Sequence, residues 1–263
     1  MIRVGVIGAG SHSTRAHGPA LVHCRDERPD EIELRAVCDL DRDRAHRYAD
    51  QFGFESAFET VERMLASEPL DAVVAVTPVA VTREVVADLF TRDVPVLVEK
   101  PPGRTVEEAR ELEELANEHG SLHAVSFNRR FNPAVRRARE WLARNVADRP
   151  PMHVISRLLR TARFEDEFIT ETGIHVVDTV CSFLGRPSKL STRRWRSPAG
   201  HSISGPRCAS LVTYGDATAQ VTIAPDAGTH TETTLLVGPG YTVRIDVAAA
   251  RLSISMDGEV IER

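Results

Sequence analysis

Cysteine is scarce in this chain and follows no pattern. Cys24, Cys38, Cys181 and Cys208 form no CxxC pair and no Cys/His cluster at metal-ligand spacing. That excludes a zinc ribbon and a disulfide framework, and no metal ligands are assigned; the four are expected to be buried free thiols in a reducing compartment. Aromatic residues make up only 5% of the 263, and no basic tract is present, so the stacking platforms and cationic stripe of a nucleic-acid binder are missing. The formal net charge of −5 is mild and implies no polyanion-binding surface. No apolar run approaches the ~18 residues that a membrane-spanning helix needs. Internal repeats and low-complexity segments are also lacking. Met1 opens directly onto an apolar run, so no leader peptide is expected and the reading places the protein in the cytosol.

What the sequence does have is alternation. Residues 2–8, 33–39, 71–76, 94–99 and 121–127 are short apolar runs with the look of buried parallel strands. Helical patterns fill the gaps at 41–52, 59–67, 80–91 and 105–119. The last is the clearest, with Thr105 and Glu108 forming a capping box and Gly120 a stop. This order predicts a doubly wound parallel sheet covered on both faces. The second half changes character. A helix over 132–146 opens on Pro133, a strand follows at 153–159, and a helix covers about 173–184. From residue 187 onward the chain is a series of strand-like runs punctuated by Pro, Gly and Asp, as in an antiparallel meander. An α/β domain over 1–124 therefore precedes an α+β domain over 125–263 built on an open, mostly antiparallel sheet.

The first strand ends in VGVIGAGSHSTRAHG, residues 4–18. Gly8 permits a tight turn, and Gly10 lets a ligand approach the backbone before a helix whose free N–H groups can meet phosphates. Ser13 stands where a dinucleotide fingerprint has its third glycine. It is the next smallest polar choice, and its hydroxyl is a candidate helix cap. Asp39 closes the second strand, where a carboxylate accepts hydrogen bonds from an adenosine ribose and repels a 2′-phosphate. Its excess distance from the glycines is put down to the polar insert at 25–31. A surface turn residue or a cap for the next helix is the other reading of Asp39. Arg42 and Arg44, close by, leave phosphate binding open.

Two further segments carry chemistry. VLVEKPPG, 96–103, puts Glu99 and Lys100 at the carboxyl end of a strand, the edge where open α/β sheets bind ligands. A lysine there can polarise a substrate oxygen; the plainer alternative is a solvated Glu–Lys pair before a proline turn. In ETGIHVVD, Glu171, His175 and Asp178 fall at i, i+4 and i+7, within roughly 60° on a regular helix. Ile174, Val177, Val180, Cys181 and Leu184 take the other side. A histidine between carboxylates suits proton transfer near neutral pH; an ordinary amphipathic helix with a wet face has the same spacing. His12 and His17 read as polar surface or packing residues rather than catalysts, His201 and His230 as polar turn residues where a substrate contact stays open, and Tyr214, Tyr241 and Trp195 as sheet packing.

Taken in order, VGVIGAGSHS, AVCDLDRDRA, AVTP, VEKP, SFNRRFNP and ETGIHVVD resemble the glucose–fructose oxidoreductase/inositol dehydrogenase (Gfo/Idh/MocA) family over about residues 2–185. The resemblance implies an N-terminal Rossmann domain and a C-terminal α+β domain whose open sheet often forms oligomer contacts; an exposed sheet face needs cover, so a dimer or tetramer is expected. It implies NAD(P)-dependent oxidation or reduction of sugars, polyols or related compounds, with NAD(H) favoured and NADP(H) left open. Gly8, Gly10, Ser11, His12, Ser13, Asp39, Thr77, Pro78, Glu99 and Lys100 would then hold the cofactor. Lys100 and His175 would be catalytic, and Glu171, Asp178, Asn128 and Arg129 would meet the substrate. Two residues depart from the family pattern: Glu171 stands where aspartate is common, and Thr82 where a histidine often follows the T-P motif. These departures keep a non-catalytic cofactor- or metabolite-sensing role in view, alongside a reductase of a non-sugar carbonyl or imine. No partner nucleic acid or membrane is implied.

Overall fold

The computed structural model describes residues 1–196 and 205–262, and these divide into two compact units, Met1–Ser126 and Phe127–Arg263. His201 lies outside the described residues.

The first unit is a six-stranded parallel sheet. In chain order its strands are β1 (Ile2–Ile7), β2 (Ile32–Cys38), β3 (Ser56–Phe58), β4 (Ala72–Ala75), β5 (Val96–Val98) and β6 (His123–Val125). Their spatial order is β3-β2-β1-β4-β5-β6, with every pair parallel. Helices α1 (Gly18–Glu27), α2 (Arg42–Phe52), α3 (Val61–Ser67), α4 (Val79–Thr91) and α5 (Val106–His119) make the crossovers. The strands are apolar on both faces because helices cover both: Val6, Val37 and Val74 pack with Tyr48 and Phe52 of α2, while Ile7, Ala36 and Ala75 pack with Leu89 of α4 and Leu112 of α5. The order reverses between β1 and β4, which places a crevice at their carboxyl ends. The sequence pattern missed β3, three residues long and too short to show a period. The insert at 25–31 is in part the last turn of α1, which runs to Glu27.

The second unit is an eight-stranded sheet. Its strands are β7 (His153–Leu159), β8 (Lys189–Trp195), β9 (Arg207–Tyr214), β10 (Ala217–Ala224), β11 (Thr231–Gly238), β12 (Tyr241–Asp246), β13 (Arg251–Met256) and β14 (Glu259–Glu262), in the order β14-β13-β12-β11-β7-β10-β9-β8. Only β7 and β10 run parallel. Register puts Val212, Ala219, Val154, Leu236 and Val243 in one row across the sheet, all buried in a core shared with α6 (Pro133–Asn145) and α7 (Ile174–Leu184). The next row, on the opposite face, is Leu211, Gln220, Ile155, Leu235 and Arg244. The alternation is the two-residue strand period written in sequence.

Among the described residues, no helix is long and apolar enough to cross a membrane. The four cysteines are free, but the expectation that all are buried holds only for Cys38 and Cys208: Cys181 is half-buried and Cys24 lies exposed on α1. That helix has little amphipathic character, so an apolar residue in its middle need not face the sheet. Tyr214 and Tyr241 pack into the core, whereas Trp195 sits 38% exposed at the end of β8.

Candidate functional site

The first constellation forms where β1 and β4 end. Gly8 has φ +97°, and a Cβ there would lie 2.2 Å from the Val76 carbonyl oxygen. Only glycine allows the chain to turn this close to the neighbouring strand. Gly10 differs: a Cβ built on it meets no other atom within 4 Å. The backbone there is open to approach, and the helix begins at the next residue, Ser11. Residues Ser13–His17 then form a π-helical turn before α1 continues. Ser13 is fully buried and its hydroxyl donates to Tyr48 Oη at 3.0 Å. It therefore does not cap the helix; it sits inside the first turns and ties them to α2, the close packing that its small size allows.

Asp39 follows β2 and is 8% exposed. Its Oδ2 accepts from the Ala9 N–H at 2.8 Å, and its Oδ1 from the Asp41 N–H at 2.9 Å and the Arg44 guanidinium at 2.6 Å. Burial opposes its ionisation, but the Arg44 guanidinium and the two backbone donors outweigh it, and the carboxyl sits below its ordinary range. Asp39 thus braces the glycine turn from the next strand. The cap of α2 is Asp41, whose side chain accepts from the Arg44 N–H. Arg44 shares a cavity of about 330 Å³ with Ser11, Arg15 and Arg47, directly over the turn. Arg42 points instead toward Glu59, at 3.8 Å.

Glu99 follows β5 with Lys100. Its Oε1 lies 2.8 Å from His17 Nε2 and 3.4 Å from His12 Nε2, and its Oε2 accepts from the Lys100 N–H at 3.0 Å. Burial would raise its pKa, yet the hydrogen bond and charge of His17, with His12 behind it, bring the carboxyl down to about 2. Glu99 is therefore not half of a solvated pair; it is an anchored carboxylate that fixes the turn carrying Lys100, itself half-buried. The partner that sequence reading missed is His17, which the π-helical turn places at this edge. Among the described residues, His12, His17 and Glu99 are also the group whose donor atoms, all within 4.8 Å of one another, could share one metal ion. Thr77 and Pro78, after β4, are held by Thr82: its hydroxyl meets Thr77 Oγ1 at 2.9 Å and donates to the Pro78 carbonyl at 3.1 Å. Thr82 is 2% exposed, so it supports the loop from beneath.

The second constellation lies in the second unit. Glu171 falls in a π-helical segment, Ile169–Gly173, that leads into α7. The alternative of an ordinary wet face fails for two of the three: His175 and Asp178 are buried, at 6% and 7%, while Val177, expected on the apolar side, is exposed. The π-helical segment ends at Gly173, so it alters only how Glu171 aligns with His175; within the regular α7, His175 and Asp178 lie about one turn apart on one buried face. Asp178 can be buried because Arg130 pairs with it in a fork, with contacts of 2.5–3.1 Å. Asn128, Arg129 and Arg130 share a short 3₁₀ turn, Asn128–Phe131. Arg129 donates to both carboxylate oxygens of Glu232, at 2.9 and 3.3 Å, and to Asn128 Oδ1 at 3.1 Å.

Glu232 and its second partner Arg160 were not picked out from sequence, though the signal was present. Val154, Ser156, Leu158 and Arg160 alternate as the buried residues of β7 and its end, and Glu232, Thr234 and Leu236 do so on β11. A carboxylate on a core-facing strand position calls for a cation, and register sets Leu158 opposite Glu232, with the Leu159–Thr231 pair next and Arg160 just beyond it.

A glycine turn at a topological switch point, a carboxylate after the second strand and a helix start over the turn define a dinucleotide-binding Rossmann unit. Comparison agrees: residues 2–127 match the family described as "Oxidoreductase family, NAD-binding Rossmann fold". Over that first unit the chain is similar to this Gfo/Idh/MocA family. It is similar to D-glucoside 3-dehydrogenase of Escherichia coli K12, 27% identical over 201 residues, 72% of this chain and 56% of that one. It is also similar to D-apiose dehydrogenase of Paraburkholderia graminis, 25% identical over 237 residues, 87% of this chain and 62% of that one. The chain thus spans about three-fifths of the length of these curated relatives. Among solved structures, an oxidoreductase from Agrobacterium radiobacter in complex with NAD+, L-tartaric acid and magnesium superposes with a TM-score of 0.83 over 100% of this chain and 79% of its own, at 20% identity. That likeness shows the fold of both units.

Proposed function

We propose that the chain is an NAD(P)-dependent oxidoreductase that transfers a hydride between nicotinamide and a carbinol or carbonyl carbon of a sugar, polyol or related small molecule. The observation that carries the reading is the edge of the first sheet, where the open backbone at Gly10, the braced carboxylate of Asp39 and the anchored turn of Lys100 stand together. The similarity to a glucoside and an apiose dehydrogenase supports the sugar class.

In this reading Gly8, Gly10, Ser11, His12 and Ser13 form the phosphate turn, and Asp39 receives the adenosine ribose. Thr77 and Pro78, with Glu99 beneath Lys100, line the nicotinamide side. Bound nicotinamide supplies the hydride acceptor or donor. Lys100 donates a hydrogen bond to the substrate oxygen, and His175 takes or returns the hydroxyl proton. Glu171 and Asp178 orient neighbouring hydroxyls; Asp178 does so while held by Arg130. Asn128 and Arg129 face the substrate. Lys100→Ala or His175→Ala lowers kcat by about 10²–10⁴-fold while the Kd for NADH stays within about twofold. Near-normal turnover in either variant contradicts the assignment of that residue.

NAD(H) is favoured, because the Asp39 carboxylate repels a 2′-phosphate. A specific observation supports the rival NADP(H) preference: Arg44 already neutralises Asp39, and Arg15 and Arg47 line the same cavity. Parallel fluorescence titrations with NADH and NADPH decide between them. Tighter NADPH binding that is lost in Arg44→Ala hands the role to the arginines. We further propose a dimer or tetramer, with a second copy covering the open face of the eight-stranded sheet. The reducing cytosol, where four free thiols stay unpaired, is the proposed compartment.

A further inference from the structure

We propose that the pocket of the second unit binds an oxyanion carried by the substrate, a carboxylate or a phosphate, so that the preferred substrates are acidic polyhydroxy compounds rather than neutral sugars. The inference rests on the oxidoreductase reading, since Asn128 and Arg129 are two of the pocket's walls.

The pocket is about 380 Å³, room for a monosaccharide, and Arg129, Arg160, His230 and Glu232 supply its titratable lining. The charges do not balance. Arg160 and Glu232 are 5% and 4% exposed, and Arg129 shares the same carboxylate. Two guanidiniums thus surround one carboxylate. Glu232 stays ionised despite its burial because both arginines hold it, and its pKa lies below the ordinary range. Desolvation and the Arg160 charge keep the His230 imidazole below its usual pKa, so it adds no charge at pH 7. One positive charge is left over in a concave, partly desolvated site, where it attracts an anion more strongly than in open water.

The donors are also pre-set. Arg160 gives N–H bonds to the Leu159 and Thr231 carbonyls at 3.0 and 3.1 Å, and to Glu232 at 2.6 Å. These hold it whether or not a ligand binds. Arg129 uses three of a guanidinium's five N–H donors on Glu232 and Asn128. The remaining edge, on a side chain 27% exposed, is available to a second carboxylate or a phosphate. A neutral sugar would leave both the surplus charge and these donors to water.

The test is a calorimetric titration of the full chain, with NADH present, using D-glucuronate, D-glucose 6-phosphate and D-glucose. Absorbance at 340 nm is followed separately with NAD+ or NADP+. The expected result is that one of the two anions binds at least about tenfold more tightly than glucose. The difference should shrink as salt rises, and which anion wins distinguishes carboxylate from phosphate. Arg129→Gln removes the preference, and Arg129→Lys restores part of it. Glu232→Gln acts in the opposite direction, adding to the surplus charge and tightening anion binding; this sign change serves even if one variant folds poorly. Equal binding of glucose and the anions, or binding of none at millimolar concentration, overturns the proposal while leaving hydride transfer to be judged by the absorbance. Anion binding without any change at 340 nm with either oxidised cofactor supports the pocket and counts instead against the oxidoreductase reading.

Discussion

Glu99 shows how much one residue can do at this edge. Its carboxylate joins two imidazoles of the glycine-turn helix to the backbone of the lysine turn. The folded pKa of about 2 lies below the ordinary 4.5, so the stabilisation is complete above the ordinary value and is lost as pH falls toward 2. Glu99→Gln should cost about 1–3 kcal/mol at pH 7, by thermal or urea denaturation. The gap between wild type and variant should close as pH drops from about 5 toward 2; a gap unchanged at pH 3 contradicts the ion pair as its source. Sequence identified Glu99 and Asp39 because strand ends are legible. It could not show their partners, since His17 lies 82 positions from Glu99 and Ala9 lies 30 from Asp39. Only the parallel crossovers bring those residues together.

At the level of elements, the long periodic segments were readable. Strand periods of two and the capped pattern of α5 match the structure, with Thr105 accepting from the Glu108 N–H. The helix α7 was placed correctly, with His175 and Asp178 on one face, but that face is buried, since the pairing of Asp178 with Arg130 is not written in the spacing, and the π-helical segment ahead of α7 was not legible either. Gly173 marks the transition: a Cβ there would lie 2.7 Å from Ile223 Cδ1 on β10. Gly173→Ala should lower stability by about 1–3 kcal/mol through overpacking. Adding Ile223→Val, which deletes that methyl, should recover part of the loss, and a double-mutant cycle by denaturation measures the coupling. Strict additivity of the two would mean that the helix does not sit on the strand as closely as described. The Arg129–Glu232–Arg160 cluster left only the strand alternation of Glu232 and Arg160 as a signal, and nothing in the sequence joins Arg129 to them.

For the whole molecule, the two sheets put their exposed surfaces to different uses. The open face of the second carries Leu211, 52% exposed, in a row with Ile155 and Leu235. If a second copy covers this face, Leu211→Asp converts a dimer or tetramer to a smaller species in light scattering, with secondary structure retained; an unchanged mass removes the face from the interface. The first sheet presents its carboxyl edge, and the central claim is that this edge holds a nicotinamide dinucleotide. Gly10 tests that claim with little disturbance of the fold, because a Cβ there meets no atom of another part of the chain within 4 Å. The decisive measurement is a fluorescence titration of wild type and Gly10→Val with NADH, and with NADPH in parallel, beside their melting curves. The account predicts saturable binding by wild type, at least a thirtyfold loss in Gly10→Val, about 2 kcal/mol, and melting temperatures that agree. Equal binding by the two proteins, or no binding by either, would contradict it.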